Sequence, residues 1–250
     1  MSPLAATSVV TVILLVAVGL GRALHGALPD HHLSSDSKDA VKLAMGLVAT
    51  MTALLLGLLV SSAKSNYDTQ RSQVITMAAK VTFLDRLLTL YGPEAADVRK
   101  ALHDNVVDGI RRVWPDSGVA GELSPNEQAG DALYVAIQSL APRDDTQRML
   151  KSQSAALALD LGQARTLLRA QAIASVSLTL LVAVVLWLLV IFLSSSTLAP
   201  PNPTTAVAFV AAVLSVAVAV FLILELDQPF SGMLRISSEP MTAALAHLAP

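Results

Sequence analysis

Residues 40 to 91 constrain the fold more than any other part of the chain. An apolar run of membrane length, DAVKLAMGLVATMTALLLGLLVSSAKS, leads directly into an amphipathic run, NYDTQRSQVITMAAKVTFLDRLLTLY. No glycine or proline interrupts the chain between Gly57 and Gly92. The sequence therefore predicts one very long helix that lies half in lipid and half in water.

The membrane half of this helix carries a stripe of small and polar residues. They recur every three or four positions and so share one helical face, while Leu, Met and Val cover the rest: Lys42, Gly46, Thr50, Ala53, Gly57, Ser61 and Lys64. Small residues let membrane helices pack closely, whereas polar residues at membrane depth commonly face a cavity. The stripe is either a packing face or a pore lining, and both require a neighbour.

The overall composition is that of an integral membrane protein. Of the 250 residues 54% are hydrophobic and only 14% are charged, and the mean hydropathy is +0.60. The absence of cysteine excludes disulfides, thiolate catalysis and cysteine-ligated metals. A formal net charge of -2, without a basic cluster, argues against nucleic acid as a partner.

Three further apolar stretches are long enough to cross a bilayer at about 1.5 Å per residue: residues 8–28, 172–195 and 206–226. The sequence thus predicts an all-α integral membrane protein with four transmembrane helices and a helical bundle inserted between spans two and three. The expected domains are spans one and two, the extramembrane bundle, spans three and four, and an amphipathic tail, with these bounds: 1–63, 64–171, 172–227 and 228–250.

Heptad-like spacing marks the expected core of the bundle. On the aqueous half of the long helix, apolar residues recur at nearly 3.5-residue intervals, which is typical of a coiled-coil seam: Val74, Ala78, Val81, Leu84, Leu88 and Tyr91. Gly92 and Pro93 are expected to end this helix. Two amphipathic helices follow, over 93–114 and 125–140. Another long helix begins near Asp144 and is expected to continue unbroken into span three.

Residue types that catalyse reactions or bind metals do not converge in the sequence. No phosphate-binding loop, dinucleotide fingerprint, zinc-protease motif or nucleophile elbow is present. His31 and His32 lie in a polar loop, where solvated side chains are a simpler interpretation than a metal site. The nearest acid–base pairs are expected at helix starts or on exposed faces: Asp144 with Asp145, Glu94 with Asp97, and His103 with Asp104. We therefore predict no enzyme activity, no metal site and no cofactor.

Charged residues at the ends of the spans are candidates for pore mouths. Glu225 and Asp227 would favour cations if an oligomer arranged them as an acidic ring, or they simply face water at the interface. Lys42 and Lys64 would favour anions instead. Charge counting alone therefore leaves the ion selectivity open.

Basic residues near the spans set the expected orientation. Five lie on the side of the bundle and tail and three on the other, namely Lys64, Arg71, Arg165, Arg169 and Arg235 against Arg22, Lys38 and Lys42. Positive charge accumulates on the cytoplasmic side of membrane proteins. The sequence predicts a multi-pass protein of the bacterial inner membrane, in contact with lipid, with the bundle and both termini in the cytoplasm.

Two segments resemble the ends of a widespread bacterial membrane-protein family called bestrophin-like, whose function is not established. The first is ALLLGLLVSSAKSNYDTQRSQV, residues 53–74, with an apolar L-G-L-L run and a Y-D before a basic residue. The second is LDQPFSGMLRISSEPMTAAL, residues 226–245, in which D-x-P-F-x-G followed by I-S is the more specific part. The resemblance extends from about residue 10 to the end of the chain.

This resemblance implies a channel-like architecture. True bestrophins are pentameric chloride channels with four spans per subunit, a helical cytosolic portion and a pore lined by the second span. The present sequence departs from them, because the apolar part of its second span has no aromatic side chains and no acidic calcium clasp is evident. The channel expectation is an analogy at the level of fold.

Two functions therefore remain open at the level of sequence. The first is a homo-oligomeric membrane ion channel or permeation protein, with the small and polar stripe of span two around the pore axis. The alternative is a membrane-anchored helical-bundle sensor or scaffold without transport activity. An enzyme is a distant third hypothesis.

Overall fold

A computed structural model describes residues 2–27, 35–115, 127–173, 178–200 and 202–248. Within these ranges the protein is entirely helical and contains no strand, which confirms the predicted all-α class. The helices in chain order are α1 (Pro3–Ala27), α2 (Ser35–Tyr91), α3 (Ala96–Val113), α4 (Glu127–Gln138), α5 (Asp145–Ile173), α6 (Leu178–Leu198), α7 (Pro203–Leu226) and α8 (Glu239–His247). A single 3₁₀ turn, Pro93–Ala95, precedes α3.

Four helices are long and apolar enough to cross a membrane, as predicted: α1, α2, α6 and α7. Their most apolar 18-residue windows have mean hydropathies between 2.3 and 3.0. The fourth begins at Pro203, three residues before its expected start, because Asn202 caps it. The Asn202 Oδ1 accepts a hydrogen bond from the Thr205 backbone N–H at 2.9 Å, and proline occupies the first helical position.

The 57 residues of α2 form one helix, which agrees with the long unbroken helix predicted from the lack of glycine and proline after Gly57. It ends at Tyr91 because Gly92 adopts φ 118° and ψ -174°, a conformation that side chains strongly disfavour. The expected helix over 93–114 instead begins as the 3₁₀ turn, in which the Ala95 N–H donates to the Gly92 carbonyl at 3.1 Å.

The described residues divide into two compact units, with boundaries after Ser65, between α5 and α6, and after Asp227. Unit 1 contains α1, the first part of α2, α6 and α7. Its core joins side chains from all four helices: Leu14, Val18, Leu59, Ala63, Val184, Leu188, Phe192, Val213 and Ile223. Phe192 and Phe209 add an edge-to-face contact between α6 and α7, with ring centroids 6.4 Å apart.

Unit 2 contains the second part of α2 with α3, α4, α5 and α8. The predicted seam of α2 is confirmed, because all six of its residues are at most 6% exposed and belong to one core. The other helices contribute apolar faces at the expected spacing, with these fully buried members: Val98, Leu102, Val106, Leu133, Ile137, Leu150, Leu161 and Leu168. The tail packs into the same core through Phe230, Ile236, Met241, Ala244 and Leu248.

Some sequence expectations fall outside the described residues. These are the loop with His31 and His32, and the unbroken passage from α5 into α6 across residues 174–177.

Candidate functional site

The small and polar face of α2 lies on the surface of a single copy. All seven of its members are exposed: Lys42, Gly46, Thr50, Ala53, Gly57, Ser61 and Lys64. A Cβ built on Gly46 or Gly57 would meet no described atom of another residue within 4 Å. The Thr50 hydroxyl donates to the Gly46 carbonyl of its own helix at 2.9 Å. Within the described residues, no other helix covers this face.

The side of α2 roughly opposite this face packs into the core of unit 1. Thr52, Leu59 and Ala63 are 2%, 3% and 0% exposed. They follow one another at steps of seven and four, so they share a face roughly opposite the small and polar one. The Thr52 hydroxyl donates to the Val48 carbonyl at 2.7 Å and needs no other partner. The fold of one copy thus buries one side of α2 and leaves the candidate pore face outward.

The charged candidates at the ends of the spans have different environments. Lys42 Nζ lies 3.2 Å from Asp39 Oδ1, one helical turn earlier. Lys64 is exposed at the other end of the same face. Glu225 is only 2% exposed inside unit 1, whereas Asp227 is half-buried. In a single copy, Asp227 therefore offers more surface to a pore mouth than Glu225 does.

A close approach between α1 and α6 is the tightest packing feature of unit 1. A Cβ on Gly21 would lie 1.9 Å from Ser196 Oγ and 2.6 Å from the Leu193 carbonyl oxygen. Glycine is therefore required here, as at other membrane contacts built on small residues. Gly19 and Gly21 are two positions apart in the sequence, which does not indicate which of them faces a neighbouring helix.

Two basic residues near the end of α1 fix the connection between α6 and α7. His25 Nδ1 lies 2.7 Å from the Thr197 carbonyl oxygen and donates to it, because a carbonyl can only accept. The Arg22 guanidinium donates to the Asn202 carbonyl at 3.4 Å. Neither contact was predicted, since the partners lie more than 170 positions away.

The acid–base pairs noted in the sequence have structural partners. Asp144 Oδ1 accepts the Gln147 backbone N–H at 2.7 Å at the start of α5, and Asp145 pairs with Arg148. Glu94 Oε1 lies 2.6 Å from Arg143 Nη1. The His103 and Asp104 side chains lie 3.3 Å apart on an exposed face. Among the described residues, no group of three or more His, Asp or Glu is arranged to hold a metal ion.

Unit 2 contains buried polar groups that the sequence did not indicate. The Arg99 guanidinium contacts both carboxylate oxygens of Asp85, at 2.7 and 3.3 Å, and this hydrogen bonding raises the pKa of Arg99 further above its usual range. Arg165 donates to Asn105 Oδ1 at 3.2 Å, and burial lowers the pKa of its guanidinium despite the nearby Asp108. Both arginines sit off the apolar seams, so helical periodicity cannot reveal them.

The tail segment with the D-x-P-F-x-G pattern is fastened to α3. The Trp114 indole N–H donates to the Ile236 carbonyl at 2.8 Å, and its ring meets Phe230 edge-on with centroids 5.9 Å apart. The Ile236 N–H donates to the Pro229 carbonyl at 2.7 Å, which closes a loop. Gly232 has φ 82° inside that loop, where glycine is favoured.

Comparison with protein families gives one decisive match. The family model of the bestrophin-like domain matches residues 10–241, which is most of the chain. The chain belongs to the bestrophin-like family. Comparisons with curated proteins and with solved structures found no match.

Membership agrees with the four apolar helices and makes this bestrophin-like protein a membrane protein of channel-like type. The match covers the whole of the first segment that carried the resemblance, residues 53–74, and residues 226–241 of the second. In this bestrophin-like chain, the first segment includes the end of the outward face of α2, and the second forms the loop fastened by Trp114.

Proposed function

We propose that this protein is a homo-oligomeric ion channel in which the small and polar face of α2 surrounds the pore. One observation carries the proposal: the fold of a single copy buries the opposite side of α2 and leaves this face outward. A face of Gly, Ala, Ser and Thr lets helices approach an axis closely and presents hydroxyl groups to a permeant ion. The proposed role is transport and not catalysis, since the candidate acid–base pairs serve as helix caps and ion pairs.

We propose further that the permeant species is an anion. Lys42 and Lys64 lie at the two ends of the proposed pore face and are exposed, although Asp39 partly neutralises Lys42. Of the two candidate acids at the span ends, Glu225 is buried and Asp227 is half-buried, so both are less exposed than the two lysines. Rings of basic side chains attract anions to a pore mouth.

Ion flux through liposomes tests the proposal. Purified wild-type protein should release trapped chloride, and Gly57→Leu should reduce the rate by about tenfold or more because it places bulky side chains around the axis. The variant should still fold, since a side chain at Gly57 meets open space in one copy. Met51→Leu, on another exposed face of α2, is the matched control and should conduct normally.

Three results would contradict this proposal. If liposomes with the wild-type protein pass neither chloride nor common cations, the protein is not a channel for these ions. Cation flux without chloride flux would remove the anion preference. Equal flux through wild type and Gly57→Leu would show that this face of α2 does not line the pore.

The excess of basic residues beside unit 2 supports a bacterial inner membrane orientation with unit 2 in the cytoplasm. Because the chain has no cysteine, a single Gln153→Cys substitution at an exposed position of α5 provides a unique label. A membrane-impermeant thiol reagent should label it only after cells are lysed. Labelling of intact cells would reverse the orientation.

A sensor or scaffold is the second candidate, favoured by unpaired acceptors in unit 2. Among the described residues, the side-chain oxygens of Gln70, Gln73 and Gln171 are buried without a hydrogen-bond partner. Buried acceptors are normally satisfied, so such oxygens favour a donor from bound solvent or a small ligand. Saturable binding of a small molecule to protein that does not conduct would favour this candidate over the channel.

A further inference from the structure

The outer face of α5 in unit 2 carries an open groove of about 560 Å³. Its floor is made of small residues in an i, i+4 row and its walls of leucines that are half exposed: Ala158, Gly162, Thr166 and Ala170, with Leu159 and Leu167. A Cβ built on Gly162 meets nothing within 4 Å, so a partner has room to enter. In the proposed topology the groove faces water, because α5 is not one of the four helices found long and apolar enough to cross a membrane.

The outer face of α2 in unit 2 carries an apolar ridge of complementary shape. Ile75, Ala79 and Phe83 follow one another at steps of four, and Ile75 and Phe83 are 48% and 56% exposed. An i, i+4 row of side chains forms a ridge that packs into the groove between such rows on another helix. Phe83 lies about 18 residues beyond the end of the unit 1 part of α2, so it is well outside a bilayer. Exposure of these side chains to water is unfavourable.

The ridge and the groove lie at the same height in unit 2. Lys80 Nζ contacts Asp160 Oδ2 at 3.2 Å, and Gln147 Nε2 donates to the Tyr91 carbonyl at 2.9 Å, so α2 and α5 run antiparallel. Lys80 is level with Asp160, so each step forward along α2 corresponds to one step back along α5. Phe83 is therefore level with residue 157 and Ile75 with residue 165. These levels span the floor of the groove between Ala158 and Thr166.

We propose that the groove on α5 binds the Ile75–Phe83 ridge of α2 from a second copy of this chain, and that this contact repeats around a closed ring. The inference rests on the oligomer proposed above. A membrane holds every copy at one depth, and a ring without translation along its axis must join surfaces of equal height. Ridge and groove are two different surfaces, so each copy offers one to each neighbour and the ring closes without a two-fold interface.

The exposed apolar area of α2 is close to what such a contact needs. A stable interface buries about 800 Å² per partner. On α2, the ridge side chains and Leu90 supply roughly 300 Å². The exposed leucines of the membrane part can supply roughly 400 Å² more, and they are Leu43, Leu47, Leu54 and Leu58. On the neighbour, the groove walls Leu159 and Leu167, each 51% exposed, would meet the ridge side chains.

Disulfide trapping in the cysteine-free wild type tests the contact. Phe83→Cys and Gly162→Cys chains are co-expressed in one membrane, so that any 83–162 bond must join two copies. Mild oxidation should yield mixed dimers in a fraction of the chains that approaches roughly one half, the maximum for random co-assembly, with few dimers of like chains. A chain with both substitutions should give a ladder that ends at the ring size. Asp104→Cys, exposed on α3, replaces Gly162→Cys in the control pair and should give no mixed dimer.

A second measurement covers the case in which cysteines disturb packing. Gly162→Leu fills the groove and should lower the fraction recovered as oligomer by about fivefold at fixed protein concentration. Gln153→Leu, exposed on the same helix outside the groove, should leave that fraction unchanged.

The outcomes separate the two proposals. A wild type that is oligomeric and conducts, but gives no 83–162 bond and tolerates Gly162→Leu, overturns this contact and leaves the channel proposal standing. Dimers of Phe83→Cys with itself indicate a two-fold interface and also overturn it. A monomeric wild type overturns both.

Discussion

Gly21→Leu is expected to abolish most of the folded protein. A side chain at this position meets Ser196 Oγ at 1.9 Å and the Leu193 carbonyl oxygen at 2.6 Å, so α1 and α6 have to separate. Overpacking of a tight helix contact costs about 3 kcal/mol, and more where backbone atoms block the relief. The measurement is the yield and the thermal unfolding midpoint of the detergent-solubilised protein, read by size-exclusion chromatography after heating.

Gly19→Leu is the matched control, because it lies on the same helix two residues away and faces open space. It should fold normally and gain slightly from better helix propensity. The double variant Gly21→Ala with Ser196→Ala should be more stable than Gly21→Ala alone but less stable than wild type. The Ser196 hydroxyl no longer clashes, but the Leu193 carbonyl remains in place. Equal stability of the Gly19→Leu and Gly21→Leu variants would contradict the α1–α6 contact.

Trp114→Ala is expected to release the tail from α3. The substitution removes the indole hydrogen bond to the Ile236 carbonyl and the ring contact with Phe230. Truncation of a packed tryptophan costs about 3 kcal/mol or more. Trypsin cleavage after Arg235 provides the measurement. Arg235 is exposed, whereas the next residue, Ile236, is held by hydrogen bonds through both its N–H and its carbonyl. Cleavage should accelerate by about tenfold or more, as local opening becomes more frequent.

Two further variants define the origin of this effect. Trp114→Phe retains an aromatic ring but loses the N–H donor, so it should show an intermediate rate, with a cost of about 1–2 kcal/mol. Met233→Ala alters a side chain of the same loop that is 75% exposed, and should cleave like wild type. If Trp114→Ala also cleaves at the wild-type rate, the tail is held by other contacts, such as those of Met241 and Leu248.

The long helix and its seam could be predicted because both are local properties. The lack of glycine and proline between Gly57 and Gly92 lets α2 continue unbroken to Tyr91, and a repeat near 3.5 residues marks which of its side chains are buried. The same reasoning identified the apolar faces of α3, α4 and α5. It failed for Arg165 and Gln70, because these polar side chains are largely buried in unit 2. A hydropathy pattern assigns such residues to the surface.

The candidate pore face was only half predictable. The sequence showed that Gly46, Thr50 and Gly57 share one face of α2, but it left open whether another helix of the same chain covers that face. The structure leaves it exposed in one copy and buries Thr52 and Leu59 on the other side. Glu225 was a mouth candidate by position, but its side chain is only 2% exposed in one copy, which the sequence did not indicate.

The sequence by itself determined the all-helical class, the four apolar helices, the family and the side of each amphipathic helix that is buried. These follow from composition and from periodicity within single helices. Only the tertiary structure decided that Gly21 and not Gly19 must be a glycine, that Trp114 fastens the tail, and that a ridge and a groove lie at one height in unit 2. Such features depend on residues far apart in the chain, whose distances are set by how helices pack and are not encoded in any local pattern.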